Sequence, residues 1–212
     1  MFIMTKLEQL LSTYPELKTC AADIQSAYDI LRACYQGGGK VLVCGNGGSA
    51  ADAEHIVGEL MKAYLLKRPV SGQVRAKLLA ADTQDGDHLA DHLQGALPAI
   101  SLVSQTSLIS AIANDTAADM VFAQQVYGYG RADDTLIGLS TSGNSRNVIH
   151  AVRVARALGL HTMALTGPTG GVLKPLCDVC ICAPGENTPT IQERHLPIYH
   201  VLCAMLEEEF FA

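Results

Sequence analysis

The stretch KVLVCGNGGSAADAEHIVGE, residues 40–59, changes period halfway along. Residues 40–44 are a short run rich in Val and Leu, too short for a helix and apolar on both faces. From Ser49 to Tyr64, apolar residues fall at Ala53, Ile56, Val57, Leu60, Met61 and Tyr64, the stripe of one helical face. A buried strand therefore runs through a Gly-rich turn into a helix. Four further runs, 99–103, 135–139, 162–166 and 178–183, repeat the strand half of this pattern, and helical patterns separate most of them. That alternation predicts βαβ units: an α/β three-layer sandwich whose five-stranded parallel sheet is covered on both faces, with a ligand cleft at the C-terminal ends of the strands.

The flanking segments fit the same plan. Residues 3–36 read as mostly helical, with a break at Pro15 and Leu17, Cys20, Ile24, Ala27 and Leu31 on one face, before Gly37-Gly38-Gly39 ends the pattern. Residues 145–158 carry Val148, Ala151, Val152, Val154 and Ala155 toward the sheet, and 190–210 repeat the pattern with Leu196, Tyr199, Cys203 and Leu206. Residues 72–97 are too long for a βα connection of about 2–6 residues. They read as an inserted pair of short helices around 74–80 and 88–94. The whole of 1–212 is expected to be one domain.

Composition excludes several classes. With 212 residues, 49% of them apolar, the chain can bury about 70% of its unfolded surface. A mean hydropathy of +0.19 excludes a disordered chain. No apolar run of about 18 residues exists to span a membrane, and the opening MFIMTKLEQL is too polar for a signal peptide. A net charge of −6 without a basic cluster argues against direct nucleic-acid binding. The Cys count is odd (seven), which reads as free thiols in a cytoplasmic protein. Cys177, Cys180 and Cys182 look like half of a zinc knuckle, but they lie on a strand pattern and no second pair follows.

Two strand-to-helix junctions share one chemical character. The first is Gly45-Asn46-Gly47-Gly48-Ser49; the second is Ser140-Thr141-Ser142-Gly143-Asn144-Ser145. Free backbone N–H groups and a helix dipole favour an anion at such places, Gly permits close approach, and hydroxyls add neutral donors. Ser49 and Ser145 are expected to cap their helices, but four hydroxyls in residues 140–145 exceed what capping needs. Phosphate is the predicted ligand. Neither junction is a Walker loop or a dinucleotide fingerprint, so no nucleotide cofactor is expected.

His55 and Glu59, one turn apart with Asp52 beside them, suit a divalent metal, Zn²⁺ most readily, although such pairs also arise as solvent-face contacts. Gln192 and His200 lie on the last helical pattern, where a satisfied structural histidine is the plain alternative. His88 and His92 form another i, i+4 pair, in a segment that reads as solvated surface.

Together, residues 40–59, IAND at 112–115, DTLIGLSTSGNSRNVI at 134–149, 164–171 and 191–200 resemble the SIS (sugar isomerase) domain family, within it the phosphoheptose isomerases. The resemblance implies a metal site at His55, Glu59, Gln192 and His200 with one Zn²⁺ per active site. It implies substrate contacts at Asn46, Gly47, Gly48, Ser49, Glu59, Asn114, Asp115, Ser140, Thr141, Ser142, Ser145 and Gln192. Glu59 and His200 become the expected acid–base pair. The implied protein is a cytoplasmic homotetramer acting on a phosphorylated sugar. Its reaction would convert sedoheptulose 7-phosphate to D-glycero-D-manno-heptose 7-phosphate through a metal-assisted enediol.

Three features depart from the family pattern. The 72–97 insertion lies outside it. Pro189 and Thr190 replace an Asp-Arg pair that many heptose enzymes carry, which bears on the choice of sugar. Pro197 predicts a kink between two ligand positions. Two non-catalytic readings compete: a regulator that binds the replication initiator DnaA, and a sugar-phosphate sensor. The DnaA-binding relative is similar across the same motifs but lacks the Glu and the final His; retention of Glu59 and His200 favours an enzyme.

Overall fold

The computed structural model describes residues 4–212, so residue 3 of the expected N-terminal helix lies outside the described residues. Five strands, β1 (Val41–Gly45), β2 (Ala99–Ser101), β3 (Thr135–Ser140), β4 (His161–Thr166) and β5 (Val179–Cys182), form one sheet in the order β2-β1-β3-β4-β5. Every pairing is parallel; Val41 lies opposite Ala99 on one side and Thr135 on the other. The helices are α1 (Lys6–Thr13), α2 (Ala21–Gln36), α3 (Gly48–Met61), α4 (Gly72–Ala81), α5 (Gly86–His92), α6 (Thr106–Asp115), α7 (Val121–Tyr129), α8 (Arg146–Ala157) and α9 (Thr188–Phe211). None among the described residues is long and apolar enough to cross a membrane.

The period-2 geometry of the strands divides the core in two. Val41 and Val43 face a cluster built from Ile24 and Leu31 of α2, Ile56 and Leu60 of α3, and Ile198 and Leu202 of α9. Leu42 and Cys44 face the opposite cluster, with Ile112 of α6, Phe122 and Val126 of α7, and Val148 and Val152 of α8. Both faces of the sheet are thus covered, as the continuous apolar runs require. Thr5 caps α1 by accepting from the Glu8 N–H, and Glu8 returns a carboxylate oxygen to the Thr5 N–H at 2.7 Å. Pro15 then opens a 3₁₀ turn, Pro15–Cys20, where the break was expected.

The chain steps outward from β1 to β2, but from β3 it steps the other way to β4. The crossovers α3 and α8 therefore lie on opposite faces, and a crevice opens between the ends of β1 and β3. The two Gly- and hydroxyl-bearing junctions are the loops at this reversal.

Three details differ from the sequence expectation. Helix α3 stops at Met61, which is 45% exposed, so Met61 and Tyr64 do not extend its buried stripe. Leu196 is 40% exposed, because the buried face of α9 runs through His195, Ile198, Tyr199 and Leu202 instead. Helix α9 also continues past Pro197 as one element, with Asn187 capping its N-terminus. The insertion does form two helices; Arg75 of α4 bridges Asp91 (2.7 Å) and Asp87 (2.8 Å), both on α5.

The end of α3 is held by a buried ion pair. Arg68 donates from Nη1 to the Leu60 carbonyl (2.8 Å), from Nη2 to the Glu59 carbonyl (3.0 Å) and from Nε to Glu207 of α9 (2.8 Å), with its guanidinium over the Phe211 ring. Glu207 also accepts the backbone N–H groups of Tyr64, Leu65 and Leu66. Two of the four orphan carbonyls at the C-terminus of α3 are thereby satisfied, and α3 is tied to α9.

Candidate functional site

At the first junction, Gly47 takes φ 58°, a left-handed conformation that glycine adopts without strain, and serves as the N-cap of α3. Ser49 therefore lies one residue inside the helix, buried, and does not cap it. A side chain at Gly48 would collide with the Gln192 amide, 2.5 Å from where its Cβ would stand; Gln192 of α9 thus sits against the head of α3.

At the second junction, Ser145 occupies the N-cap position of α8 without making the expected side-chain cap. Its hydroxyl pairs with Ser140 Oγ at 2.9 Å instead. The exposed Ser142 hydroxyl accepts the Asn144 N–H, and the Thr141 carbonyl accepts the Gly167 N–H. The N-terminus of α8 thus follows a loop of four hydroxyls with no cationic side chain among residues 140–145, a setting suited to an anion.

Asn46 and Asn147 join the two junctions. Each amide donates to the other's oxygen, at 2.9 and 2.8 Å, across the crevice. Asn147 escaped the sequence reading, because nothing local distinguishes it from any polar residue in a first helical turn. Asn114 and Asp115 bond to each other at 2.7 Å at the end of α6; no hydrogen bond among the described residues joins them to either junction.

Two and three turns along α3 from Gly48, His55 and Glu59 meet His200 of α9. His55 Nε2 lies 3.1 Å from Glu59 Oε1 and 3.4 Å from His200 Nε2. Among the described residues, these three form the one group of His, Cys, Asp or Glu side chains with ligand atoms clustered tightly enough for a metal ion. The seven cysteines are free, with Cys180 and Cys182 on β5, and the pair His88 and His92 lies exposed on the insertion.

Behind His55 stands a second layer. Tyr199 Oη is 2.9 Å from His55 Nδ1 and 3.3 Å from Asp52 Oδ1. Burial, reinforced by Asp52, raises the Tyr199 pKa, so the phenol keeps its proton. Burial also raises the Asp52 pKa, against the Tyr199 hydrogen bond and His55. It lowers the His200 pKa, as does His55, while Glu59 acts in the other direction. A neutral imidazole is the form that binds metal. His195, also on α9, is a structural histidine: it is fully buried, with Nε2 3.1 Å from the Thr166 carbonyl.

The SIS domain model matches residues 6–89 and 88–167. The phosphoheptose isomerase of Akkermansia muciniphila is 35% identical over 99% of this chain and 97% of its own length. That of Rhodospirillum rubrum is 38% identical over 91% and 88%. Among solved structures, the Neisseria gonorrhoeae phosphoheptose isomerase aligns with a TM-score of 0.74 at 33% identity, covering 94% of each chain. The Francisella tularensis phosphoheptose isomerase gives 0.72 at 30% identity, over 97% of this chain and all of its own.

Proposed function

The chain belongs to the SIS-domain family, in the company of the phosphoheptose isomerases, and from that premise we propose that it interconverts a ketose phosphate and its aldose, sedoheptulose 7-phosphate and D-glycero-D-manno-heptose 7-phosphate being the pair. One observation carries the reading: α3 starts at an anion-suited junction and bears, within three turns, a carboxylate and an imidazole facing a second imidazole.

The residues have distinct tasks. Ser140, Thr141, Ser142 and Ser145, with the first-turn amides of α8, hold the phosphate; Ser49 and the backbone of Asn46, Gly47 and Gly48 close it from the other side of the crevice. Gln192, Asn114 and Asp115 contact the sugar hydroxyls. Aldose–ketose exchange moves a proton between C1 and C2 through an enediol, which needs a base, an acid and stabilisation of the developing oxyanion. Glu59 and His200 are the acid–base pair for this transfer.

The donor set also fits a divalent cation. Two imidazole nitrogens 3.4 Å apart face one carboxylate, and the buried Glu59 Oε2 has no hydrogen-bond partner. His55, Glu59 and His200 would hold the ion, and Gln192, whose amide stands against Gly48 at the head of α3, is the fourth ligand that the family resemblance implies; imidazole and carboxylate donors suit zinc. Such an ion, when bound, polarises carbonyl and hydroxyl oxygens. The same reading makes the protein a cytoplasmic homotetramer: its free thiols support the compartment, while the assembly rests on the family resemblance alone, because the apolar faces of α1 and α2 pack within the protomer; a monomer in light scattering at micromolar concentration would overturn it.

The test is a panel of five- to seven-carbon ketose phosphates, with solvent deuterium incorporation at C1 or C2 followed in D₂O. Conversion is expected for the seven-carbon substrate and to collapse in Glu59→Gln and His200→Asn. Wild-type turnover in both variants would defeat the mechanism.

A further inference from the structure

We propose that Tyr199 and Asp52 are positioning residues: they hold His55 in the tautomer with hydrogen on Nδ1, so that the Nε2 lone pair faces Glu59 and His200. The inference rests on the metal reading of that cluster and adds a device behind it. Three facts bear on it. Tyr199 is only 2% exposed, and its ring packs edge-on against His55, 5.3 Å between centroids at 72°. Its hydroxyl touches only His55 Nδ1 at 2.9 Å and Asp52 Oδ1 at 3.3 Å among the described residues. The other Asp52 oxygen, Oδ2, is buried without a partner.

Hydrogen counting then fixes the direction of the chain. A phenol offers one proton, and a carboxylate can only accept. If Tyr199 gave its proton to His55, Asp52 Oδ1 would lose its one donor among the described residues, beside an Oδ2 already buried without a partner, at a cost of about 1–3 kcal/mol. If Tyr199 donates to Asp52, its own oxygen accepts, and His55 Nδ1 must carry the hydrogen. Both contacts of the Tyr199 hydroxyl are then matched. A neutral imidazole has one N–H, so Nε2 is left as a lone pair, 3.1 Å from Glu59 Oε1 and 3.4 Å from His200 Nε2. That lone pair and the Glu59 carboxylate, both electron-rich, face each other at 3.1 Å, an arrangement that calls for a cation between them. An outer partner that fixes tautomer and ring orientation in this way is the usual companion of a metal-bound histidine.

The experiment uses the full chain with Co²⁺ as a visible probe and Zn²⁺ in competition. Tyr199→Phe removes one oxygen from a buried ring and leaves the packing in place. The metal-free variant should melt near the wild type, yet bind Co²⁺ about 10- to 100-fold more weakly, with shifted d–d bands. Asp52→Asn retains an acceptor for the phenol and should lose less. Because the groups act in series, the double variant should bind no more weakly than Tyr199→Phe alone. Wild-type affinity and bands in Tyr199→Phe, or losses that simply add in the double variant, would overturn the relay and leave the metal site standing. Failure of the wild-type protein to take up either ion would overturn the metal reading, and the relay with it.

Discussion

Replacing Glu207 by Leu should be among the costliest single substitutions in this protein. The side chain accepts four hydrogen bonds, three from the N–H groups of residues 64–66 and one from Arg68, and both charged groups are buried. Leucine matches the volume but leaves the Arg68 guanidinium without a counter-ion, and a buried pair broken from one side costs about 3–5 kcal/mol. Two features limit the loss. Arg68 keeps the Leu60 and Glu59 carbonyls as acceptors, and exposed Leu65 and Leu66 let water reach part of the released backbone. A loss of about 3 kcal/mol follows, a large share of the roughly 5–15 kcal/mol that stabilises a folded protein.

Urea titration should show it as a midpoint lowered by about 1 M at unchanged slope. Arg68→Met combined with Glu207→Leu removes the stranded charge and should be more stable than Glu207→Leu alone. The pH dependence has a definite sign. Burial opposes ionisation of Glu207, but the three backbone N–H groups and Arg68 outweigh it and hold the carboxyl below its ordinary 4.5. Its contribution is therefore complete above pH 4.5 and lost as the pH falls through the lowered value. Wild-type stability should decline in that acid window more steeply than that of Glu207→Leu. A single-variant loss below about 1 kcal/mol, or a double variant weaker than the single, would refute the reasoning.

Changing Ser142 and Ser145 together to Ala should raise KM for a sugar phosphate at least about tenfold, since a charged hydrogen bond is worth about 1.5–3 kcal/mol; unchanged affinity by calorimetry would remove the cradle. His55→Ala should remain folded by circular dichroism but lose its metal, and full occupancy by elemental analysis would sink the ligand assignment. Asn46→Ala and Asn147→Ala should each weaken phosphate binding, with the double variant no worse than either alone because each amide's partner is the other; additive losses would show that the pair does not act as a unit.

Short-range periodicity made the strands, the reversal loops and α3 legible, because a fully buried parallel strand and a one-sided helix leave different patterns. His55 and Glu59 could be read for the same reason: one helical turn places them together. What stayed hidden depends on partners distant in sequence. Arg68 sits in Lys67-Arg68-Pro69 and Glu207 in Glu207-Glu208-Glu209, both of which look like solvated charge, yet they meet across 139 residues. Tyr199 reads as one more apolar position of a stripe; only the fold shows that its hydroxyl ends against Asp52 and His55. The capping roles expected of Ser49 and Ser145 failed for local reasons. Gly47 can take the positive φ that this turn requires and so displaces the cap by two residues, and Ser140 competes for the Ser145 hydroxyl.

The division of the cluster between α3 and α9 also sets a timetable for synthesis. His55 and His200 are 145 residues apart, so at about 5–20 residues per second roughly 7–30 s separate their emergence from the ribosome. Over that interval Ile56 and Leu60 have no α9 to cover them. The nascent chain can pack that helix face only against α2 and the strands already made through most of its translation, so the core on this side of the sheet and the His55–Glu59–His200 cluster are completed together, when the last helix emerges.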